Sequence, residues 1–266
     1  MRGLREVLRT VRPSAAPDPA DPSVRITRAV AAHLLTYPDA EMLERLPLLR
    51  SACEHLEEPH AMPLRGLLDE LTRATSDPVL LESLQQEFVE TFDTRRRGSL
   101  YLTYFTHGDT RRRGMALLRL KQEMREAGVE IGDEELPDHL AVVLEFAGTV
   151  DPTGGETMLR AYRPGLELLR IHLRDRESRW AEVLAAVSAT LPPLEGEERE
   201  AIARLIADGP AEEEVGLAGY GSQEIPPFSS PMAWTPGGDG DGSASGPVPL
   251  PTPRIRPITA EGADHG

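Results

Sequence analysis

The stretch YFTHGDTRRRG, residues 104–114, places an imidazole, a carboxylate and three guanidinium groups within a few positions of one another. His107 and Asp109 are side-chain types that act in acid–base chemistry, and arginines such as residues 111–113 bind phosphate or carboxylate groups. The stretch is therefore a candidate for a catalytic site or for an anion-binding turn.

Helix geometry limits what the arginines of this stretch can do together. Gly108 suits a turn with positive φ, and Asp109 or Thr110 suits the N-cap of a following helix. Residues 111–113 would then occupy the first turn and point to different faces, because successive helical residues are rotated by about 100°. Cations there also oppose the helix dipole, by about 0.3–1 kcal/mol each. We expect either a capped turn with solvated arginines, or arginines that are compensated by neighbouring acids or by a partner.

A second cluster, GVEIGDEELPDHLAVVLE, spans residues 128–145 and contains six acids but no lysine or arginine. Pro137 favours a helix start, which would place Asp138 and His139 in the first turn. Glu135 and Asp138 have the spacing of a capping arrangement, which is the structural alternative. Scattered carboxylates and an imidazole are weak evidence for metal. The pattern favours a negative, partly apolar groove for a basic amphipathic peptide, whose basic residues would meet Glu135, Asp138 and Glu145.

The whole-chain composition excludes several classes of function. The net charge of −15 argues against a nucleic acid and against an anionic membrane surface as partner. A single cysteine, Cys53, cannot form an internal disulfide or a cysteine-cluster metal site. The sequence has no phosphate-binding loop, no dinucleotide fingerprint after a strand and no HExxH motif, and thus little support for a cofactor enzyme. No apolar run has the length of a signal peptide or a membrane span, so we expect a cytoplasmic protein.

Residues 23–208 show helical periodicity nearly throughout. Ser23 can cap a first helix, and Asp77 followed by Pro78 is a clear start signal for another. Alternating strand runs joined by hairpin dipeptides are absent. We therefore predict an all-α fold, a single-domain bundle of about eight to ten helices. Residues 1–22 are predicted to be a disordered lead, and residues 209–266, of which about a third are Gly or Pro, a disordered tail.

The region of residues 99–148 resembles the signature region of the NarJ family, the respiratory nitrate reductase assembly chaperones also called the delta subunit. In that family a stretch of the type SL·L····HGD···RG is followed at this distance by ELPDHL···LE. The segments EFVETFD, residues 87–93, and LLTYPD, residues 34–39, resemble the family too, and the match spans roughly residues 24–190. One departure is residues 103–105, where many members have an acid–His pair before the histidine.

The resemblance implies an all-helical chaperone of a molybdoenzyme. Such proteins bind the apo form of the catalytic alpha subunit through its basic amphipathic N-terminal segment and a second surface. They hold it in the cytoplasm until the molybdenum cofactor and iron–sulfur centre are inserted, and they carry no cofactor. Molybdenum cofactor delivery proteins are further candidate partners, whereas nucleic acid and stable membrane association are not expected. The family motif carries over onto Glu135, Pro137, Asp138 and His139.

The predicted client site combines both clusters. The client helix is expected to lie against Leu136 and Leu140, with Val143 and Leu144 nearby, and to place its basic residues near acids of the second cluster. The imidazoles of His107 and His139 are expected to make its affinity depend on pH. The full set of predicted peptide-binding residues is His107, Gly108, Asp109, Arg113, Glu135, Leu136, Pro137, Asp138, His139, Leu140 and Glu145.

Two other classes of function remain open at this point. His107, Asp109, Asp138 and His139 could converge as acid–base or metal-binding groups in a small helical metal-dependent hydrolase. Alternatively, both clusters could be helix caps in a passive scaffold.

Overall fold

The structure, a computed structural model, describes residues 16–94, 96–108, 110–132 and 135–208, together with the short strand Ile255–Pro257. The predicted all-α class is confirmed, and these residues form twelve α-helices. They are α1 (Pro22–Leu34), α2 (Ala40–Glu44), α3 (Leu46–Glu54), α4 (Glu58–Ala74), α5 (Pro78–Phe88), α6 (Leu102–His107), α7 (Arg111–Glu126), α8 (Leu140–Glu145), α9 (Pro152–Ala161), α10 (Arg163–Asp175), α11 (Ala181–Ala189) and α12 (Gly196–Asp208). This exceeds the eight to ten expected because tight turns split segments that read as continuous helix.

Asp-Pro pairs start three of the helices. The carboxylates of Asp77 and Asp151 accept hydrogen bonds from the first backbone N–H groups of α5 and α9, as predicted for Asp77. The same arrangement starts α1, where the Asp21 carboxylate accepts from the Ser23 N–H at 2.7 Å. The expectation that Ser23 caps this helix was therefore wrong. Pro22, with its fixed φ, begins the helix one residue earlier.

The helix α8 forms the centre of the bundle. Its first five residues, 140–144, are at most 1% exposed, and π-helical turns (Phe146–Val150) continue it. Gly148 lies against α1, where an added Cβ would sit 2.8 Å from the Ala29 nitrogen and 2.8 Å from the Arg25 oxygen. The Arg25 side chain donates to the Gly148 carbonyl at 3.1 Å. The close approach of α1 to α8 thus depends on the absence of a side chain at residue 148.

An aromatic cluster connects the end of α1 to α5 and α11. Trp180 is 1% exposed and its indole N–H donates to the Leu34 carbonyl at 2.8 Å. Phe88 and Phe92 pack against the indole, with ring centroids 5.5 and 5.8 Å away. Phe92 belongs to a π-helical extension of α5 (Val89–Asp93), which turns the chain towards α6.

Two short strands were not expected from the sequence. Val129–Ile131 (β1) pairs antiparallel with Ile255–Pro257 (β2), with Glu130 opposite Arg256 in the register. The rest of the predicted tail, and residues 1–15 of the predicted lead, lie outside the described residues. In the part of the chain that the structure describes, none of the helices combines the length and the apolar character needed to cross a bilayer.

Replacing Gly148 with alanine should lower the free energy of unfolding by about 2–3 kcal/mol, because the new Cβ would collide with the backbone of α1. Urea denaturation of the native chain and the variant measures the difference. The matched control is Gly66→Ala in α4, where nothing lies within 4 Å of the added Cβ. That change should raise stability by about 0.5–1 kcal/mol. Equal stability of Gly148→Ala and the native chain would contradict the close packing of α1 and α8.

Candidate functional site

The two clusters found in the sequence meet in the structure through the backbone before α8. The Leu102 N–H donates to the Asp138 carbonyl at 2.9 Å, and the Leu140 N–H donates to the Leu100 carbonyl at 2.8 Å. Between them, Tyr101 and His139 form an antiparallel bridge. The predicted helix start at Pro137 was therefore wrong, since the backbone of residues 138–140 bonds to a neighbouring segment and α8 begins only at Leu140.

His139 acts as the N-cap of α8. Its Nδ1 accepts a hydrogen bond from the Ala141 N–H at 3.3 Å. Burial lowers the pKa of His139 to about 4, so the ring is neutral at physiological pH. This corrects the expectation that His139 contributes a pH-dependent charge. The pH-dependent role of His107, which ends α6, stays a prediction.

The Asp138 side chain points into the fold and is 0% exposed. The Thr103 hydroxyl donates a short hydrogen bond to its Oδ2, and the Arg113 guanidinium lies 3.6 Å from the same oxygen. Burial raises the pKa of Asp138, while the hydrogen bond from Thr103 and the charge of Arg113 act in the opposite direction. Asp138 therefore does not present its carboxylate to a client as the sequence suggested. It joins α6, α7 and the segment before α8.

Arg113, one of the three arginines of the first cluster, has its charge balanced by an acid, Asp138. Its Nε donates to the Thr103 hydroxyl at 3.3 Å, and its guanidinium lies 5.5 Å from the centre of the Tyr101 ring. The other two arginines of the run, at positions 111 and 112, are exposed on different faces of α7. The ion pair of Arg113 with Asp138 thus agrees with the expectation that neighbouring acids compensate the arginines of this turn.

The turn between α6 and α7 agrees in part with the sequence analysis. Gly108 has φ of 56°, the positive value predicted for it. Thr110 occupies the N-cap position of α7 but makes no side-chain cap hydrogen bond. Asp109, the other predicted cap, lies outside the described residues, as do residues 133 and 134 of the acidic cluster.

A groove lies between α7 and the loop that follows β1, with a volume of about 640 Å³. Its floor and walls carry apolar side chains that face solvent. Met115 and Leu118 on α7 are 69% and 63% exposed, and Leu136 on the loop is 40% exposed. The complete lining is Arg111, Gly114, Met115, Leu117, Leu118, Lys121, Gly132, Glu135, Leu136 and Pro137.

The apolar surface of this groove differs from the one predicted. Leu140, Val143 and Leu144 are fully buried in the centre of the bundle and cannot contact a client. Leu136 and Pro137 do line the groove, as predicted. Sequence reasoning missed Met115, because the periodicity of α7 does not reveal which apolar positions the core covers. The available signal was the spacing of Met115 and Leu118, three apart on one helical face.

Glu135 is the acid that lines this groove, and Glu145 lies outside the lining but within the electrostatic influence of Glu135. Partial burial of Glu145 and the nearby charge of Glu135 raise the pKa of Glu145 to about 7, against the opposing effect of Arg45. Glu135 lines the groove itself. Two carboxylates that are ten positions apart in the sequence thus influence each other electrostatically, and like charges disfavour the ionised form.

The groups proposed for hydrolysis do not assemble into a metal site. Asp138 is held by Thr103 and Arg113, and the His139 ring nitrogen Nδ1 is occupied by the cap of α8. Across the described ranges, no group of three or more His, Cys, Asp or Glu side chains could hold a metal ion. The hydrolase alternative therefore gains no support.

Comparison with known proteins places this site within a conserved sequence family. The sequence model of a family described as "Nitrate reductase delta subunit" matches residues 54–186, which include both clusters and the groove. "Nitrate reductase-like protein NarX" of Mycobacterium tuberculosis is 41% identical over 160 residues, 60% of this chain and 23% of that protein. This chain therefore spans less than a quarter of the length of that relative.

Two further relatives are named as assembly chaperones. "Probable nitrate reductase molybdenum cofactor assembly chaperone NarJ" of Bacillus subtilis is 30% identical over 169 residues, 63% of this chain and 89% of that protein. "Nitrate reductase molybdenum cofactor assembly chaperone NarJ" of Escherichia coli is 34% identical over 163 residues, 59% of this chain and 65% of that protein.

Replacing Arg113 with alanine should lower the free energy of unfolding by about 2 kcal/mol, because it leaves the buried Asp138 carboxylate without its cation. The burial that raises the pKa of Asp138 disfavours its ionised form, so the loss should be larger at pH 7 than at pH 4. Denaturant unfolding at both pH values measures it. Arg112→Ala, an exposed position in the same turn, is the control and should change stability by less than about 0.5 kcal/mol. Equal effects of the two substitutions would contradict the assigned role of Arg113.

Proposed function

This chain belongs to the nitrate reductase delta subunit family, the NarJ family, and we propose from that premise that it is a molybdoenzyme assembly chaperone. In this role it binds the apo catalytic alpha subunit of respiratory nitrate reductase, through the basic N-terminal segment of that subunit and a second surface. Binding holds the subunit in the cytoplasm while the molybdenum cofactor and the iron–sulfur centre are inserted. The chain binds its client and carries out no catalysis.

The observation that carries this proposal is the exposed apolar groove with an acidic end. Met115, Leu118 and Leu136 expose apolar side chains around one concavity, and such patches on soluble proteins commonly mark interaction sites. Glu135 adds negative charge to the lining, and Glu145, whose pKa the charge of Glu135 helps to raise, adds a second carboxyl nearby. A helix with one apolar face and basic residues along its edge is complementary to both features.

In the proposed complex, the apolar groups of the groove provide most of the affinity, and its charged groups provide specificity. Removing Met115 and Leu118 from water provides the main favourable free energy, at about 25 cal/mol for each Å² of apolar surface buried. The acidic pair Glu135 and Glu145 selects a client with a cation at the matching position and sets its direction. Arg111 and Lys121, which also line the groove, disfavour a cation at their own positions.

Asp138 and His139 act in this proposal as positioning residues. Asp138 fixes α7 relative to the loop through Arg113, and His139 fixes the start of α8. Together they set the distance between the apolar wall on α7 and the residues Leu136 and Pro137 on the opposite wall. The family motif Glu135-Leu136-Pro137-Asp138-His139 thus supplies a groove acid, two groove walls and two buried supports.

Replacing Met115 and Leu118 together by serine should weaken binding of a synthetic peptide of the alpha subunit N-terminal segment about tenfold or more. The apolar contact is lost, whereas stability should change little, because both side chains are exposed. Isothermal titration calorimetry measures the affinity. The matched control is Leu48→Ser with Val79→Ser, which are 71% and 77% exposed on α3 and α5. If both double variants bind as tightly as the native chain, the groove is not the client site.

Replacing Glu145 with glutamine should remove most of the pH dependence of peptide binding. Because the pKa of Glu145 is about 7, its carboxyl is mostly protonated at pH 6 and mostly ionised at pH 8. Only the ionised form attracts a cation, so the affinity of the native chain should rise about threefold to tenfold over this interval. Calorimetry at both pH values measures the change. Glu82→Gln, an exposed acid on α5, should keep the native profile. An unchanged profile in Glu145→Gln would exclude this carboxyl from the client contact.

A further inference from the structure

The strand β1 forms part of the rim of the groove. Val129 and Ile131 are each 3% exposed and β1 packs on α7, while Glu130 between them is exposed and its carboxylate accepts from Arg125 at 3.2 Å. Gly132, the next residue after β1, lines the groove. Whatever pairs with β1 therefore lies beside the site proposed for the client.

The partner of β1 is a segment from the far end of the same chain. The pairing places Ile255 opposite Ile131 and Arg256 opposite Glu130. Residues 209–266 contain only two arginines and no lysine, and these arginines, Arg254 and Arg256, flank Ile255. The pairing thus sets Arg256, from the one basic part of residues 209–266, opposite the acidic residue Glu130.

The sequence around β2 favours a short and weak pairing. Pro257 disfavours helical backbone at Arg256, so the residue opposite Glu130 is biased towards the extended conformation. Pro257 itself has no N–H group and cannot donate to a strand ladder, and Pro253 limits the segment on the other side. A ladder of three residues with proline at its end is marginal by itself. Attachment to the same chain makes it an intramolecular contact and thereby raises its occupancy.

We propose that the segment Ile255–Pro257 is the resident occupant of the edge of β1 and competes with the basic segment of the client. The inference rests on the proposed function, since it assigns a competitor to the same acidic surface. The segment offers what the groove rim recognises: positive charge alternating with an apolar residue. It lies outside the region that the family model matches, which ends at residue 186.

The competition follows from shared charge and shared position. The register sets Arg256 opposite Glu130, which brings a basic residue to the acidic stretch that continues to Glu135 in the groove. A client with basic residues must displace this segment, so its apparent affinity is reduced by the fraction of chains in which the segment is docked. The segment Ile255–Pro257 thus covers the edge of β1 until a client with an apolar face supplies additional contacts in the groove.

The test uses the full chain with the double substitution Ile255→Pro/Arg256→Pro, which together with Pro257 leaves no backbone N–H in the paired segment. Val248→Pro/Leu250→Pro, outside the pairing, is the matched control. Amide hydrogen exchange of residues 129–131 in the free protein reports docking without any client. We expect at least about threefold faster exchange in the first variant and native exchange in the control. Native exchange in both variants would overturn the docking, and protection that grows with protein concentration would assign the contact to a second copy.

Calorimetry with the synthetic alpha subunit peptide then tests competition. The variant Ile255→Pro/Arg256→Pro should bind at least about threefold more tightly than the native chain, as should the charge variant Arg254→Gln/Arg256→Gln. Faster exchange without tighter binding would overturn the competition while leaving the proposed function intact. Absence of peptide binding in every variant would instead count against the proposed function, whatever the exchange rates show.

Discussion

The buried carboxylate of Asp138 is the group on which the geometry of the candidate site depends. Removing a carboxylate from water is costly unless hydrogen bonds and a cation accompany it. Thr103 on α6 and Arg113 on α7 provide both, and at 3.6 Å the attraction of Arg113 is roughly 4 kcal/mol before the cost of burial offsets it. Because these partners come from different elements, their contacts with the single oxygen Oδ2 fix α6, α7 and the start of α8 together.

The groove is a consequence of this arrangement. With α7 held at its first turn by Arg113, its apolar positions divide between two environments. Leu120 and Met124 enter the core, while Met115 and Leu118 stay exposed opposite Leu136. The central position of α8 has a second effect, because burial of its first five side chains, residues 140–144, leaves its C-terminal Glu145 partly buried within reach of the charge of Glu135. An acidic end and an apolar wall therefore arise from the same packing that stabilises the bundle.

The charge state of each ionisable residue in the site depends on its burial as much as on its residue type. Asp138 and His139 are central to the family motif but face inwards, where burial raises the pKa of the acid and lowers that of the imidazole. Glu145 reaches solvent enough to bind a cation, yet its pKa of about 7 places its charge within the physiological range. Three ionisable residues within eight positions thus differ in role because their surroundings differ.

Local rules of helix periodicity, capping and backbone sterics made the fold class and several helix ends of this protein predictable from its sequence. Helical periodicity predicted the all-α class, Asp77 followed by Pro78 predicted the start of α5, and Gly108 predicted the positive φ that separates α6 from α7. The motifs of residues 99–148, with the upstream segments 34–39 and 87–93, also resembled those of the family to which the chain belongs. These features depend on neighbours within a few positions, where backbone sterics and capping hydrogen bonds decide the outcome.

Tertiary structure alone decided which residues of the clusters face solvent. No local rule shows that Asp138 is buried against Thr103, that Leu140 belongs to the core, or that Glu135 lies near Glu145. Residues 138–140 do not form the predicted helix, because backbone groups of residues 100–102 satisfy their hydrogen bonds. The same holds for β1, whose strand partner at Ile255–Pro257 lies more than a hundred positions away. Such contacts are chosen by the free energy of the whole fold, in which one buried charge can outweigh several local preferences.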